Sequence, residues 1–452
     1  MVFRSSRVRQ DSDVTQSDVT QSDVTQRDVR PWPKLRNTVI VGPTMDPATA
    51  TPVRAPVGVR VLHQDTGDRP FIVFWELTRA CTLACRHCRA SAMPAHDPLE
   101  LSTAEGFLVI DDLAALGSPR PMLILTGGDP FERSDLLTLV EYAASLGLPV
   151  ALSPSVTPNL TRARLAALRD AGAGAVSLSL DGARAETHDR VRGIEGVHAA
   201  TVAAAAMVRE LGYRLQINTT VTADNVEELP ELLAWVIDAD ISLWSVFLLV
   251  PTGRGAQLDS LASEDVEEVL HWLHDVGDLV PVKTTEAPQF RRVAMQRAGV
   301  DHLDDAFPPG PLRRRLRERT KQLVPATHAL RHRRQPLSVN AGRGVAFIDH
   351  QGTIFPSGFL PLAVGSVRQR PLSAWYRDSP LMRSLRDPDR FSGKCAVCDF
   401  RAVCGGSRSR AYATTGDPLG DDPACDYMPP AQKGQRAPRA QNTTGTLRGP
   451  RT

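Results

Sequence analysis

FIVFWELTRACTLACRHC, residues Phe71 to Cys88, runs from an apolar stretch directly into three cysteines. Its first half is continuously apolar rather than alternating, the pattern of a strand covered on both faces. Cys81, Cys85 and Cys88 follow at the spacing C-x3-C-x2-C, and the next cysteine is Cys395. Three thiols on one loop past a strand can hold a metal group together, but they are one short of a closed structural zinc site. The spacing asks for a centre that keeps one position open.

Outward from this stretch, five further apolar runs recur: PMLILT, PVALSPS, AVSLSL, RLQINTTV and SLWSVFLLV. Between them lie amphipathic segments such as TAEGFLVIDDLAALG and HAATVAAAAMVRELG, several closing on Gly, a common residue just past a helix C-terminus. Strands alternating with helices predict an α/β fold with a parallel sheet under helices. Six βα units without a nucleotide-binding glycine fingerprint predict a partial (β/α)6 TIM-like barrel over residues 67–288 rather than a doubly wound sheet. A helical connecting segment is expected over 289–339, and a small cysteine-rich domain, which a metal centre would staple, over 340–428. The latter opens with LSVNAGRGVAFIDHQGTIFP, read as a hairpin turning near Gln351 and Gly352. SDVTQ occurs three times in tandem from Ser12 to Gln26, polar and without an apolar face; residues 1–66 and 429–452 are expected to be disordered tails.

The length of 452 residues allows two or three domains. A formal net charge of only +2 disfavours nucleic acid as a partner. No apolar run reaches the length of a membrane span, and MVFRSSRVRQDSDV has charge but no apolar signal core, so a cytoplasmic protein without membrane association is expected. In that setting the seven cysteines, in sets of three and four, read as metal sites rather than disulfides.

Thiolates suit zinc or iron–sulfur clusters. A [4Fe–4S] cube takes four cysteines, so three leave one iron free. CTLACRHC resembles the signature of the radical S-adenosylmethionine (SAM) enzymes, including the aromatic His87 before the last cysteine. The resemblance implies a cluster on Cys81, Cys85 and Cys88 whose open iron chelates SAM. Reductive cleavage of the sulfonium then yields a 5′-deoxyadenosyl radical that abstracts a substrate hydrogen. It also implies SAM contacts. TGGDP, similar to the family's GGE motif, would place Gly127, Gly128 and Asp129 at the amino group, with Asp129 where Glu is usual. Ser153 and Ser155 would lie near the ribose, Ser179 and Asp181 at the barrel mouth, and Asn218 and Thr220 by adenine. Arg192 would reach the carboxylate, for which a guanidinium is an apt bidentate partner. An ordinary βα turn and a surface arginine are the competing readings of the glycines and of Arg192.

Cys395, Cys398, Cys404 and Cys425 offer four ligands for one centre, and a structural zinc ion is a rival reading. The segment resembles the C-terminal auxiliary-cluster domain, of SPASM or twitch type, found in radical SAM peptide maturases and their relatives. Ser357 and Arg408 stand where the full pattern has cysteines. The resemblance therefore implies one fully ligated auxiliary [4Fe–4S] cluster, acting as electron relay or structural support.

For the substrate, WELTRACTLACRHCRASA is similar to the group that decarboxylates propionate side chains late in heme synthesis. A tetrapyrrole is thus one expected substrate and a ribosomally made peptide the alternative. Arg313, Arg314, Arg315, Arg317 and Arg319 would suit a polycarboxylate, against the plainer reading of a solvated helix face. Trp244 reads as core and His350 as a turn residue. A reducing partner such as flavodoxin or ferredoxin is implied, and no acid–base residue declares itself. A zinc-stapled binding protein with a chance cysteine triplet is the contrasting reading.

Overall fold

The computed structural model describes residues 58–432 except 61 and 63. The SDVTQ repeats and most of both expected tails lie outside the described residues. The described part nevertheless begins inside the expected N-terminal tail: the Arg60 amide donates to the Pro336 carbonyl, and the Tyr376 hydroxyl donates to the Thr66 carbonyl.

All six apolar runs are strands: β1 (Ile72–Glu76), β2 (Met122–Thr126), β3 (Val150–Leu152), β4 (Ala173–Ser179), β5 (Arg214–Val221) and β6 (Leu243–Leu248). A seventh, β7 (Val282–Thr285), extends the series, and each strand pairs in parallel with the next. The connections carry α1 (Thr103–Ala114), α2 (Leu136–Ser145), α3 (Arg162–Asp170), α4 (Ala185–Arg192), α5 (Val197–Glu210), α6 (Leu229–Asp238) and α7 (Ser263–Asp275). Local chemistry sets their starts. Ser102 caps α1 by accepting from the Glu105 amide, while the Glu105 carboxylate accepts from the Ser102 amide at 2.8 Å, a reciprocal capping box.

The two faces of each inner strand do different work. Val73, Trp75, Leu123 and Leu125 are fully buried in the main core, each contributing about 1.5–3 kcal/mol. Trp75 lies so close to α1 that a Cβ on Gly106 would stand 2.8 Å from its ring. The alternate residues Ile72, Phe74, Ile124 and Thr126 face an internal cavity instead. Trp244 is fully buried, edge-on to Trp272, and belongs to the core.

Beyond β7 come α8 (Gln289–Arg297), α9 (Leu303–Ala306) and α10 (Pro311–Leu323). The basic run is α10. Arg313 is buried and donates to both oxygens of Asp275; Arg315 pairs with Glu227, Arg317 with Asp304 and Arg319 with Glu231. Arg314, Arg315 and Arg319 are exposed, so the plainer reading of a solvated face holds for all but Arg313 and the half-buried Arg317, and none of these arginines lines the cavity.

The cysteine-rich segment contains β8 (Asn340–Ala341), β9 (Gly344–Ile348), β10 (Thr353–Phe355) and β11 (Gly365–Ser366), then α11 (Leu372–Asp378), α12 (Pro380–Arg386), α13 (Gly393–Ala396) and α14 (Arg408–Thr415). Its hairpin turns at Asp349 to Gly352, as the sequence predicts, with Gly352 at φ +86°. The hairpin does not stand apart. β9 pairs in parallel with β1, Ile72 opposite Val345 through Trp75 opposite Ile348, so the sheet runs β11-β10-β9-β1-β2 and on to β7. The physical reason is the open edge of a partial barrel: β1 presents unpaired amides and carbonyls that another strand satisfies.

Candidate active site

β1 delivers the chain into the loop Thr78–Cys88 at the C-terminal mouth of the strands. The loop is fixed by its own backbone: the Cys81 amide donates to the Met93 carbonyl, and the Gly128 and Asp129 amides donate to Thr78 and Ala80, each at 2.8 Å. Gly127 and Gly128 are needed for that approach. A Cβ at Gly127 would lie 2.5 Å from the Thr78 carbonyl oxygen, and one at Gly128 2.4 Å from that of Ala80. Both glycines also line the cavity.

Cys81, Cys85 and Cys88 border one cavity of about 380 Å³. The Ser155 hydroxyl lies 3.5 Å from the Cys81 sulfur, and the Arg192 guanidinium donates to the Cys85 sulfur at 3.6 Å. Burial pushes the Cys81 thiol above its ordinary value. Arg254, on the turn after β6, donates its Nε to the Cys85 carbonyl and its backbone amide to that of Cys88. Gly253 permits this close contact, since a Cβ there would sit 2.5 Å from the Arg89 oxygen.

Behind Arg192 stands Asp181, wholly buried, which accepts from its Nη2 at 2.6 Å and from the Thr220 amide at 2.8 Å. Burial works against the Asp181 charge, but Arg192 and His87 outweigh it and hold the carboxyl below its usual range. His87 is driven down to about 4 by burial, with Asp181 opposing, and so is neutral at pH 7.

The structure sorts the sequence-predicted contacts. Gly127, Gly128, Ser153, Ser155, Ser179, Arg192, Asn218 and Thr220 line the cavity with the three cysteines. Asp129 and Asp181 do not. The Asp129 carboxylate is buried, accepting from the Thr157 hydroxyl at 2.7 Å and the amides of Phe131 and Ser155, which ties the loop after β3 to the loop after β2. Asp181 positions Arg192 from behind. Sequence reasoning passed over Arg254, Lys283, Glu286 and Arg334, which also line the cavity. The glycines flanking Arg254 in PTGRG were a readable signal; a lone lysine in PVKTT was not.

A cluster and SAM fit these residues on two counts. The donor set is three free thiols on one loop. Beside them, His87 Nδ1, Arg192 Nε and Arg254 Nη2 are buried polar atoms with no hydrogen-bond partner among the described residues. Such atoms are costly unless a bound group meets them.

Cys395, Cys398, Cys404 and Cys425 are also free thiols. They lie close enough to act on one another, and burial pushes Cys404 up to about 11 and Cys425 up to about 12. Arg292 faces this group while paired with Glu267, and Arg408 donates to the Cys395 sulfur at 3.7 Å. Among the described residues no set of three or more His, Cys, Asp or Glu side chains is drawn tightly enough around one point to hold a single metal ion.

Residues 75–236 match the family model described as the radical SAM superfamily. An AdoMet-dependent heme synthase of Methanosarcina barkeri is 35% identical over 80% of this chain and 98% of its own length. The chain belongs to the radical SAM superfamily. Another AdoMet-dependent heme synthase, from Oleidesulfovibrio alaskensis, is 36% identical over 79% of the chain and 87% of its own. SAM-bound SuiB of Streptococcus suis shares the fold at a TM-score of 0.57 and 15% identity, over 80% of this chain and 78% of that one. As a radical SAM enzyme the chain takes a [4Fe–4S] cluster and SAM. No helix among the described residues is long and apolar enough to cross a membrane.

Proposed function

We propose that this radical SAM enzyme carries out oxidative decarboxylation of propionate side chains on a tetrapyrrole. The observation that carries the reading is the cavity: it continues from the three thiols along an apolar wall of Ile72, Phe74, Ile124 and Phe347, where a flat apolar ring can lie beside the reacting centre. The relatives named as heme synthases, matched over nearly their whole length, support the same substrate class.

In this reading Cys81, Cys85 and Cys88 hold the cluster. Gly127, Gly128, Ser153, Ser179, Arg192 and Asn218 receive SAM, with Asp129 and Asp181 holding those groups in place. The bound cluster and SAM supply a 5′-deoxyadenosyl radical, which removes one hydrogen atom from substrate. Arg192 stays charged because Asp181 is ionised behind it, and its Nε has no partner among the described residues. Neutral His87 adds no positive charge to the site at pH 7. The balance of the reaction is simple: a propionate that loses a hydrogen atom, CO2 and one electron becomes a vinyl group. The electron needs an acceptor, and Cys395, Cys398, Cys404 and Cys425 would supply one as a fully ligated [4Fe–4S] cluster, zinc being the rival occupant. A flavodoxin or ferredoxin in a reducing cytoplasm would provide the electron that starts the cycle.

The test is anaerobic reconstitution followed by iron, sulfide and zinc analysis. Dithionite, SAM and an iron porphyrin bearing four propionates are then added. Deoxyadenosine together with conversion of propionate to vinyl, read by mass spectrometry, is expected. Deoxyadenosine without porphyrin conversion would move the substrate to the peptide class; no SAM cleavage would overturn the assignment of the first cysteine set.

A further inference from the structure

The cavity lining is one-sided in charge, and two of its cations remain without a counter-charge or a backbone carbonyl once each is followed to its partner. Among the described residues its lining contains six cationic side chains, Arg89, Arg192, Arg254, Lys283, Arg291 and Arg334, against one carboxylate, Glu286. That carboxylate is taken up by the hydroxyls of Ser357, Ser407 and Ser409. Four of the cations are also spoken for. Arg89 pairs with Glu76 and Arg192 with Asp181, while Arg254 and Arg291 donate to backbone carbonyls.

Lys283 and Arg334 are different. Lys283 points inward from β7, and its Nζ makes one hydrogen bond, to Gln216 Oε1 at 3.5 Å. Arg334 comes from the segment between α10 and β8, and Nη1 of its guanidinium is buried without a partner. Neither is in an ion pair among the described residues. The charges acting on them are of like sign: Arg334 on Lys283, and Arg60 on Arg334. Buried Arg313 and Arg410 are matched by Asp275 and Asp422, and buried Arg408 by backbone carbonyls, whereas Arg334 has no hydrogen-bond partner among the described residues and Lys283 has Gln216 alone. Both side chains are partly buried in the wall of one cavity, where two cations without a counter-charge favour an anion that enters from outside the chain.

We propose that Lys283 and Arg334 form the receiving site for a substrate carboxylate, with Gln216 orienting the lysine. The proposal deepens the tetrapyrrole reading and rests on it. The apolar wall of Ile72, Phe74 and Ile124 comes from β1 and β2, whereas Lys283 enters from β7, at the other end of the parallel series. A ring with an apolar face and an acidic edge meets both. Anchoring one carboxylate here leaves another propionate free to be presented at the thiol end, which makes Lys283 and Arg334 positioning residues for the chemistry.

The experiment is an absorbance titration of the full reconstituted protein under anaerobic conditions. The probes are an iron porphyrin with four propionates and the same porphyrin with all four converted to neutral amides. Lys283→Gln and Arg334→Gln are each expected to raise the Kd of the acid about tenfold or more, as loss of a charge-assisted hydrogen bond implies, and to leave the amide unchanged. Lys283→Arg, which keeps the charge, is expected to recover most of the affinity, and iron content checks that each variant is loaded. Variants that bind the acid as tightly as the native chain would overturn the proposal while leaving the substrate reading intact. Equal weakening for acid and amide would also overturn it, since the effect would then be one of shape. A native protein that binds neither porphyrin would overturn the substrate reading, and the carboxylate site with it.

Discussion

Gly128→Ala tests how the first cysteine set is held. The added Cβ would lie 2.4 Å from the Ala80 carbonyl oxygen and 2.6 Å from that of Arg79, both backbone atoms that cannot rotate away. To reach even 3.0 Å, the lower limit of real Cβ contacts, Ala80 must retreat by at least 0.6 Å. That displacement passes directly to Cys81, the next residue, and is about three times the ~0.2 Å tolerance of metal–ligand distances. It also stretches the hydrogen bonds from Gly128 to Thr78 and from Asp129 to Ala80. Overpacking of this kind costs about 1–3 kcal/mol, and each weakened hydrogen bond about 1 kcal/mol more. The fold should survive such a loss, but the cluster should not.

The expected result is a soluble variant that lacks about four irons relative to the native chain and forms no deoxyadenosine. Gly174→Ala is the control, because the nearest atom to its Cβ would be 3.8 Å away. Anaerobic iron analysis and a SAM-cleavage assay on the two variants decide the matter. If Gly128→Ala loads iron and cleaves SAM as the native chain does, the β2 loop does not hold the cysteine loop in the way argued.

Replacing Cys395 and Cys398 together by Ser should remove about four further irons while SAM cleavage persists; loss of one zinc and no iron would assign zinc to that set. Affinity for a tetrapropionate porphyrin should depend on pH through Lys283, which burial and then Arg334 hold down to about 8 in the free protein. A bound carboxylate raises that value, so affinity is full below about pH 8 and falls as pH rises through it, while Arg334 and the propionates stay charged. In Lys283→Arg the fall should vanish; a Kd that stays flat from about pH 7 to 9 in the native chain would count against a charged lysine contact. Asp422→Ala should cost about 3–5 kcal/mol in denaturant unfolding, because it strips the carboxylate from buried Arg410 and from the amides of Gln289 and Ser407. A change under about 1 kcal/mol would show that the carbonyls around Arg410 suffice.

What the sequence discloses here is what lies close along the chain. The three thiols and their spacing fit in eight residues, and each of the six long apolar runs announces its own strand. β7 escapes because four residues, Val-Lys-Thr-Thr, have too little apolar pattern to read. Strand partnership is also not a local property: nothing in GVAFI says that it will lie beside Ile72–Glu76 rather than in a sheet of its own. The same limit applies to the basic run. Arg313 to Arg319 looks free in one dimension, and only the packing of α10 on α6 and α7 brings Glu227, Glu231 and Asp275 to it. Conversely Lys283 and Arg334, fifty-one residues apart, draw no notice in the sequence and meet only in the cavity wall.

The two departures from the auxiliary-cluster pattern have their own physical logic. If Ser357 and Arg408 were simply lost ligands, the fold would carry small polar residues with nothing to bind at both places. Instead Ser357 donates to Glu286, whose backbone sits at φ +52°, a conformation that costs a non-glycine residue about 1–3 kcal/mol and persists only where neighbours impose it. Ser407 and Ser409 donate to the same carboxylate, and Arg410 donates to the Glu286 carbonyl as well as to those of Leu248 and Leu249. Arg408 is wholly buried, satisfied by the carbonyls of Pro418 and Gly420 and set against the Cys395 sulfur. A cysteine at either position would break a tie between the cysteine-rich segment and the barrel mouth, or open a hole beside the remaining thiols. Ser357 and Arg408 are thus occupied by partners of their own, and in the proposed reading Cys395, Cys398, Cys404 and Cys425 are the ligands left for a single centre.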